Sequence, residues 1–244
     1  MTPMNTEILK WDSDFFGFKT ARILTPDLDE KQIIKTLQNL RSHDTRLVYW
    51  ASQVEAHFDV SALGGRLVDR KAIFEAELEQ RTALPPNSGV HVVQYTSAIP
   101  QPIMLDLALQ AGEFSRYARD PQFPHARFNA LYLEWMRKSL AGQMADTVLV
   151  AIVNDIPAGM ITLSAKAGVG EIGLIAVDSA YRGQHLGTAL MAAAHDWYKE
   201  NNLKRARVVT QADNQAACSL YQRCGYALSH LEYFYHFWLE PEQS

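Results

Sequence analysis

Hydrophobic and polar positions repeat with two different periods along the chain, and together these periods predict a mixed α/β fold. Apolar residues that return every three or four positions are typical of helices, and short β-branched runs bounded by Gly, Pro or Asn are typical of strands. The predicted helices are 29–41, 102–114, 127–140, a long helix from 186 and 214–224. The predicted strands are 46–51, 72–78, 90–95, 147–153, 158–164, 170–177, 207–211 and 233–239.

The order of these elements predicts a largely antiparallel central sheet in the second half of the chain. Strands 147–153, 158–164 and 170–177 follow one another through short turns, which favour antiparallel pairing. Between the two helices before them, residues 115–125 read SRYARDPQFPH. Two prolines and several charges in this segment predict a polar and aromatic loop.

A proline-rich segment divides the chain. Residues 83–89 read ALPPNSG, a composition that is typical of a linker or sharp loop. We therefore expect a smaller N-terminal α/β domain over 1–84, which begins with a strand, a linker over 85–89, and a second domain over 90–244.

Composition and charge give no sign of a nucleic-acid or membrane partner, a disulfide or a metal site. The net charge is −4, and no long run of Lys or Arg is present, so neither nucleic acid nor an acidic membrane is expected. No stretch approaches the ~20 apolar residues of a membrane helix, and the N-terminus does not resemble a secretory signal. Cys218 and Cys224 fall on one predicted helix about 9 Å apart, too far for a disulfide. The histidines lack metal-ligand spacing. We expect a cytoplasmic protein without a metal.

One segment combines a strand, a glycine-containing turn and a long helix. Residues 171–198 read EIGLIAVDSAYRGQHLGTALMAAAHDWY. Gly183 and Gly187 let a ligand approach the main chain, and a helix start presents free N–H groups to a phosphate. The patterns GxxxxGK[ST] and GxGxxG are absent. A glycine-containing turn by itself is more often only a turn, so this alternative stays open.

Two motifs in this order resemble the signatures of the GNAT superfamily of N-acyltransferases. Residues 177–187, VDSAYRGQHLG, are similar to a V-D-x-x-Y/F-R-G strand exit and to the acyl-CoA motif Q/R-x-x-G-x-G/A. His185 stands where the family usually has its first glycine, and a positive φ there would strain it. Residues 214–226 are similar to N-x-x-A-x-x-x-Y-x-x-x-G-F. Without the resemblance, this second segment would be an amphipathic helix with an Asn cap and a buried tyrosine.

The resemblance implies a GNAT fold and an acyl-CoA site on two splayed central strands. Backbone groups near Ile175 and Val177 would pair with the pantetheine arm, and the N–H of Ala176 would stabilise the oxyanion. Tyr221 would be catalytic, protonating the leaving thiolate. The co-substrate would be acetyl-CoA or another short acyl-CoA. The implied cofactor-binding residues are Ile175, Ala176, Val177, Arg182, Gly183, Gln184, His185, Leu186, Gly187, Thr188, Asn214 and Tyr221.

The N-terminal half resembles the GNAT enzymes that acylate TDP-linked amino-dideoxy sugars, the group of TDP-fucosamine acetyltransferase. Residues 10–22, KWDSDFFGFKTAR, carry this resemblance, and residues 64–78 and the loop 115–125 look similar to parts of the same enzymes. Cations and aromatic faces suit a negatively charged nucleotide sugar, although solvated surface charges remain an alternative. The expected substrate-binding residues are Lys71, Arg116, Tyr117 and Asp120.

The leading hypothesis is therefore transfer of an acetyl or other short acyl group to the amine of a TDP-linked amino-dideoxy sugar. Two alternatives are acetylation of a protein N-terminus or other small amine, and a non-catalytic acyl-CoA sensor. The partner would be the nucleotide-linked amino sugar, and the aromatic last strand could pair across a homodimer. The group that removes the amine proton is left open between Glu171, His91, Asp120 and a water chain.

Overall fold

The computed structural model describes residues 5–78 and 90–240 and confirms the mixed α/β architecture. None of the helices within these ranges is long and apolar enough to cross a membrane. The helices are α1 (Lys10–Phe16), α2 (Glu30–Arg41), α3 (Pro102–Ala111), α4 (Arg116–Arg119), α5 (His125–Leu140), α6 (Leu186–Glu200) and α7 (Gln215–Arg223). The strands are β1 (Thr6–Ile8), β2 (Thr20–Ile23), β3 (Leu47–Ser52), β4 (Gly65–Glu77), β5 (His91–Gln94), β6 (Thr147–Val153), β7 (Ile156–Lys166), β8 (Val169–Val177), β9 (Arg205–Gln211) and β10 (Ala227–Trp238).

The described residues group into two compact units that are not contiguous in sequence. The predicted linker over 85–89 lies outside the described residues. Strands β4 and β10 contribute residues to both units, whereas the sequence predicts a linear division. Unit 1 takes its described residues from Met1–Lys71, Ser115–Arg127 and Leu231–Ser244, and unit 2 takes them from Ala72–Phe114 and Phe128–His230.

Unit 1 is built on strands in the order β1-β2-β3-β10-β4. β2 is parallel to β3, and β3 is antiparallel to β10. Because side chains alternate along a strand, β10 directs Tyr235 and Phe237 to one face and Phe234, His236 and Trp238 to the other. Helix α2 packs on the first face and forms one hydrophobic cluster with it. On the second face, Trp238 packs against the rings of Phe18, which follows α1, and Phe123, which follows α4.

Unit 1 contains two short helices that are not among the helices predicted from the sequence. The segment KWDSDFF forms α1, which ends at Gly17 with a left-handed φ of 77°. The predicted loop over 115–125 contains α4, whose first turn is capped by the Ser115 hydroxyl. The expectation of a polar loop is therefore wrong, because Tyr117 and Phe123 are buried against Phe16 of α1.

Unit 2 has the strand order β4-β9-β8-β7-β6-β5. Strands β5 to β8 pair antiparallel and β8 pairs parallel with β9, so the mixed, largely antiparallel sheet is confirmed. On one face, Met104 of α3 and Met136 of α5 share a core with Met160 of β7. On the other face, α6 approaches β7 closely, and a Cβ at Gly159 would lie 3.2 Å from Leu190.

The last strand is not an edge strand. In the strand order, β10 has β3 on one side and β4 on the other. Its backbone hydrogen-bonding groups are therefore used within the chain, and the expectation that this strand pairs across a homodimer is wrong. Homodimerisation itself stays a prediction.

Candidate active site

The parallel strands β8 and β9 separate toward their carboxyl ends. Their ladder ends at Ile172 and Val208, whereas the strands themselves continue to Val177 and Gln211. Backbone groups beyond the end of the ladder are available to an extended ligand, which can bind them as an added strand would.

A β-bulge accounts for this separation. The register between β7 and β8 shifts between Ile161 and Leu163, so that Thr162 faces two residues of β8. The Thr162 hydroxyl accepts a hydrogen bond from Leu174 N–H at 2.8 Å. A Cβ at Gly173 would lie 2.8 Å from the same oxygen, so a larger residue would displace it. Such a bulge bends the strand that carries the extra residue.

The β7–β8 ladder decides which N–H groups of β8 face the gap. Asp178 N–H donates to Ala158 O at 2.9 Å. Because antiparallel bonds recur at every second residue, Ala176 is the next residue of β8 that is bonded to β7. The N–H groups of Ile175 and Val177 point away from β7. The N–H groups of Ile175 and Val177 are therefore outside the β7–β8 ladder, whereas that of Ala176 is bonded within it.

The start of α6 follows directly after β8 and a short 3₁₀ turn. The first hydrogen bond inside α6 runs from Ala189 N–H to His185 O at 3.1 Å. The N–H groups of Leu186, Gly187 and Thr188 precede this bond and have no intrahelical acceptor. Together with the positive end of the helix dipole, they form a site that suits a phosphate or pyrophosphate.

The turn contains two residues in the left-handed region. Gly183 has a φ of 80° and His185 has a φ of 62°. Glycine adopts this region without a steric cost, whereas an L side chain is disfavoured there by about 1–2 kcal/mol. The histidine that replaces the usual glycine is therefore strained, and the left-handed backbone of the turn is retained.

Gln110 of α3, which is not among the residues predicted from the sequence, holds the turn in place. Its Oε1 accepts from Ser179 N–H at 3.1 Å and from Arg182 Nη2 at 3.3 Å. Arg182 Nε also donates to Val177 O at 3.2 Å. The Arg182 side chain thus connects the turn to the end of β8 and to α3 through hydrogen bonds. The available sequence signal was a lone amide near the end of a mostly apolar helix.

Helix α7 carries the second motif. Asn214 caps the helix, since its Oδ1 accepts Ala217 N–H at 3.1 Å. Tyr221 is buried, with its ring centroid 5.8 Å from that of Phe74 and 6.2 Å from that of Tyr226. Burial raises the pKa of the Tyr221 phenol above its ordinary value, so the hydroxyl stays protonated at neutral pH.

The predicted acceptor residues lie in unit 1. The Arg116 guanidinium lies over the rings of Tyr49, Tyr117 and Phe234, with Cζ 4.9, 4.5 and 4.3 Å from the ring centroids. Lys71, the remaining predicted cation, is half-buried in an ion pair, in which its Nζ lies 3.3 Å from the carboxylate of Glu232.

Asp120 is buried and its carboxylate is occupied by protein donors. Oδ2 accepts from His236 Nδ1 at 2.7 Å and from Trp238 Nε1 at 2.8 Å, and Oδ1 accepts from Gln122 N–H at 3.0 Å. These bonds lower the pKa of Asp120 against the opposing effect of burial. His236 is not among the residues predicted from the sequence, although alternation along YFYHFW places it on the same face as Trp238.

The other two candidates for the general base lie in unit 2. Glu171 forms an ion pair with Lys166 at 3.3 Å, and His91 is exposed on strand β5. The identity of the base stays a prediction. Within 5–78 and 90–240, no group of three or more His, Cys, Asp or Glu is arranged to hold a metal ion.

Comparisons with known proteins agree with the order of these elements. Residues 110–226 match the family model described as Acetyltransferase (GNAT) family. N-alpha-acetyltransferase 30 of Schizosaccharomyces pombe is 30% identical over 100 residues, which cover 39% of this chain and 67% of that protein. The chain belongs to the GNAT acetyltransferase family. A GCN5-related N-acetyltransferase from Sphaerobacter thermophilus shares the fold, with a TM-score of 0.58 at 17% identity over 98% of this chain and 78% of that one.

A second relative of this GNAT chain is the spore coat polysaccharide biosynthesis protein SpsD of Bacillus subtilis (strain 168). It is 27% identical over 133 residues. The matched region covers 54% of this chain and 46% of SpsD, so the chain spans less than half the length of that relative.

Replacing His185 by glycine in the GNAT turn is expected to stabilise the protein. Relief of the left-handed strain should exceed the ~0.4–1 kcal/mol that glycine adds to the entropy of the unfolded chain. A gain of ~0.5–1 kcal/mol corresponds to roughly 1–4 °C in melting temperature. Gln184→Gly is the matched control, because Gln184 is not in the left-handed region and should lose stability. An unchanged or lowered melting temperature for His185→Gly would contradict the strain.

Gly187→Val is expected to raise the KM for acyl-CoA by about ten-fold or more, with a smaller effect on kcat. A Cβ at this position would lie 3.2 Å from Leu220 Cδ2, so either the Leu220 side chain or the start of α6 would have to shift. Steady-state kinetics with varied acyl-CoA measure the effect. Ala193→Val adds the same β-branched residue to α6 away from its start and should leave the KM unchanged. Equal KM values for both variants would contradict this account of Gly187.

Proposed function

We propose that this protein transfers an acetyl or other short acyl group from acyl-CoA to the amine of a TDP-linked amino-dideoxy sugar. The observation that carries the proposal is the separation of β8 and β9 beyond Ile172 and Val208, next to the open start of α6. This arrangement offers backbone groups to an extended amide-containing arm and N–H groups to a pyrophosphate. Acyl-CoA contains both parts in one molecule.

The acyl-CoA would bind mainly through the main chain. The amides of the pantetheine arm would pair with backbone groups of Ile175 and Val177, and the pyrophosphate would accept from N–H groups of residues 182–188. The side chain of Arg182 would act by shaping the turn, since its donors already contact Val177 O and Gln110. Asn214 would support the site by starting α7 at the required place.

Transfer would proceed by direct attack of the amine on the thioester carbonyl. The new C–N bond forms as the carbonyl oxygen takes negative charge, and the N–H of Ile175 or Val177 would stabilise that charge. The tetrahedral intermediate then collapses, the C–S bond breaks, and the CoA thiolate accepts the proton of the Tyr221 phenol. The amine loses its own proton to the general base. Donation by a placed acid typically contributes ~10²–10⁴-fold in rate.

The choice of a sugar acceptor rests on unit 1 and on one relative. The segment KWDSDFF of α1 carries the resemblance to enzymes that acylate TDP-amino sugars, and Arg116 and Tyr117 supply a cation among aromatic rings. SpsD is a polysaccharide biosynthesis protein by name, which is the context in which such sugars are used. We propose Arg116, Tyr117, Asp120 and Lys71 as acceptor-side residues, the last two by holding neighbouring side chains.

Mass spectrometry of reaction mixtures tests this proposal. Acetyl-CoA is incubated with the protein and each of a set of TDP-amino-dideoxy sugars with the amine at C3 or C4, and with peptides that have a free N-terminus. We expect an acetylated sugar and unmodified peptides. Acetylation of a peptide without any sugar product would contradict the sugar acceptor, and acyl-CoA binding without turnover of any amine would contradict an enzymatic role.

A further inference from the structure

A polar cluster lies inside the aromatic face of unit 1. We define the Arg116 cluster as Tyr49, Arg116, Phe234 and His236. Tyr49 of β3 and His236 of β10 are directly opposite each other in the antiparallel ladder, with ring centroids 4.8 Å apart. The Arg116 guanidinium lies over the rings of Tyr49 and Phe234. These contacts bring three polar side chains together within an aromatic surround.

Each of the three polar side chains has a buried atom that lacks a hydrogen-bond partner among the described residues. The atoms are Tyr49 Oη, Arg116 Nε and His236 Nε2. Tyr49 and His236 are both 0% exposed. Buried polar atoms are paired in the great majority of cases, because an unpaired one has lost its hydration without gaining a hydrogen bond in return. Three such atoms in touching side chains point to a ligand group that pairs with them.

The hydrogen bonds around His236 determine whether its Nε2 donates or accepts a hydrogen bond. The ionised Asp120 carboxylate accepts the Nδ1–H of His236 and also a hydrogen bond from Trp238, which fixes the orientation of the imidazole. Burial is the main reason why the pKa of His236 falls to about 4, so the ring is neutral at physiological pH. With the proton on Nδ1, the free Nε2 is a hydrogen-bond acceptor.

Donors and acceptors in the cluster suit a hydroxyl group better than a phosphate. Arg116 Nε offers an N–H donor, His236 Nε2 offers a lone pair, and the Tyr49 hydroxyl can act either way. A fully ionised phosphate only accepts hydrogen bonds, so it has no donor for the lone pair of His236 Nε2. Asp12 and Asp69 also interact electrostatically with Arg116 and offset its charge, which disfavours a polyanion.

We propose that the Arg116 cluster binds a ring hydroxyl of the acceptor sugar, with Arg116 donating to the hydroxyl oxygen and the hydroxyl donating to His236. Tyr49 and His236 are then specificity-determining residues, and Asp120 is a positioning residue that acts through His236. This inference rests on the proposed sugar acceptor. Arg116 is half-buried, whereas Tyr49 and His236 are fully buried, so Arg116 is the most exposed of the three polar residues of the cluster.

Direct binding of the sugar tests the inference without requiring acyl transfer. Isothermal titration calorimetry with TDP-4-amino-4,6-dideoxygalactose compares the native protein with Tyr49→Phe and His236→Gln. Loss of one hydrogen bond should weaken binding by about ten-fold in each variant, with the KM for acyl-CoA unchanged. Tyr235→Phe is the matched control. Tyr235 lies on β10, as His236 does, and its buried phenol accepts from Ala56 N–H, outside the cluster. The Tyr235→Phe variant should therefore bind the sugar with native affinity.

A second titration identifies the group that is recognised. Analogues of the sugar that each lack one ring hydroxyl are compared, and the native protein should bind one of them about ten-fold more weakly. Tyr49→Phe, which keeps the ring and should fold even if His236→Gln does not, should lose most of that discrimination. Native affinity of Tyr49→Phe for the sugar, or equal binding of all analogues, overturns the inference and leaves a buried water as the partner of these atoms.

Failure of the inference and failure of the proposed function give different results. Normal acylation and binding of the sugar by Tyr49→Phe would overturn the inference alone. Binding that depends on Tyr49, without any acylated product, would overturn the proposed function alone. Absence of sugar binding by the native protein would overturn the inference, while the mass-spectrometric assay reports separately on the acceptor.

Discussion

Tyr221→Phe is expected to lower kcat by about 10²-fold or more while leaving the KM for acyl-CoA nearly unchanged. Phenylalanine keeps the ring and its contacts with Phe74 and Tyr226, so folding and ligand binding should survive. What is lost is the proton for the leaving CoA thiolate. Because burial raises the pKa of this phenol, the native kcat should also persist on the alkaline side up to at least the ordinary phenol pKa of about 10.

The alternative is that the Tyr221 hydroxyl has only a structural role. Loss of a single structural hydrogen bond would cost about 1 kcal/mol of stability and little rate. Tyr198→Phe is a suitable control, because it removes another buried phenol of unit 2 that lies outside the proposed chemistry. Steady-state kinetics and melting curves are measured on both variants. A near-native kcat with a lowered melting temperature for Tyr221→Phe would make water the proton source.

A truncated chain that begins at Gly89 is expected to lose both cooperative folding and acyl transfer. The last part of β4 belongs to unit 2, in which β4 lies next to β9 in the strand order. Phe74 of β4 packs against Tyr221, and Leu78 N–H donates to Lys204 O at 2.7 Å. Loss of one buried Phe side chain alone typically costs ~3–5 kcal/mol, a large share of the ~5–15 kcal/mol that stabilises a domain. Removal of the strand also leaves backbone groups of β9 unpaired.

Circular dichroism and thermal unfolding, together with the acyl-transfer assay, measure this effect. A chain that begins at Gly65 is the matched comparison, because it lacks the preceding elements of unit 1 but keeps all of β4. It should recover a cooperative transition of unit 2 and remain poor at binding the acceptor. If the chain from Gly89 unfolds cooperatively and acylates the sugar at the native rate, residues 1–88 form a detachable module and this prediction is wrong.

Sequence alone determined the features that depend on residues close together in the chain. The periods of the apolar residues locate most of the helices and strands, because the residues of each element determine which of its faces is apolar. The strand-turn-helix of residues 171–198 is local in the same sense, as is the Asn214 cap. Gly225, just after α7, has a positive φ of 76°, which glycine adopts without a steric cost. The family could therefore be inferred from two motifs without knowledge of the packing.

Tertiary structure decided the features that join residues far apart. The helix in 115–125 could not be predicted, because the charges of this segment suggest a loop and only burial of Tyr117 and Phe123 shows its role. Gln110 reaches the turn from 68 positions away, and Asp120 meets His236 across 116 positions. Side chains of this kind are ordinary polar residues in sequence. Their function follows from the partners that the fold supplies, because hydrogen bonding and burial depend on distance in space.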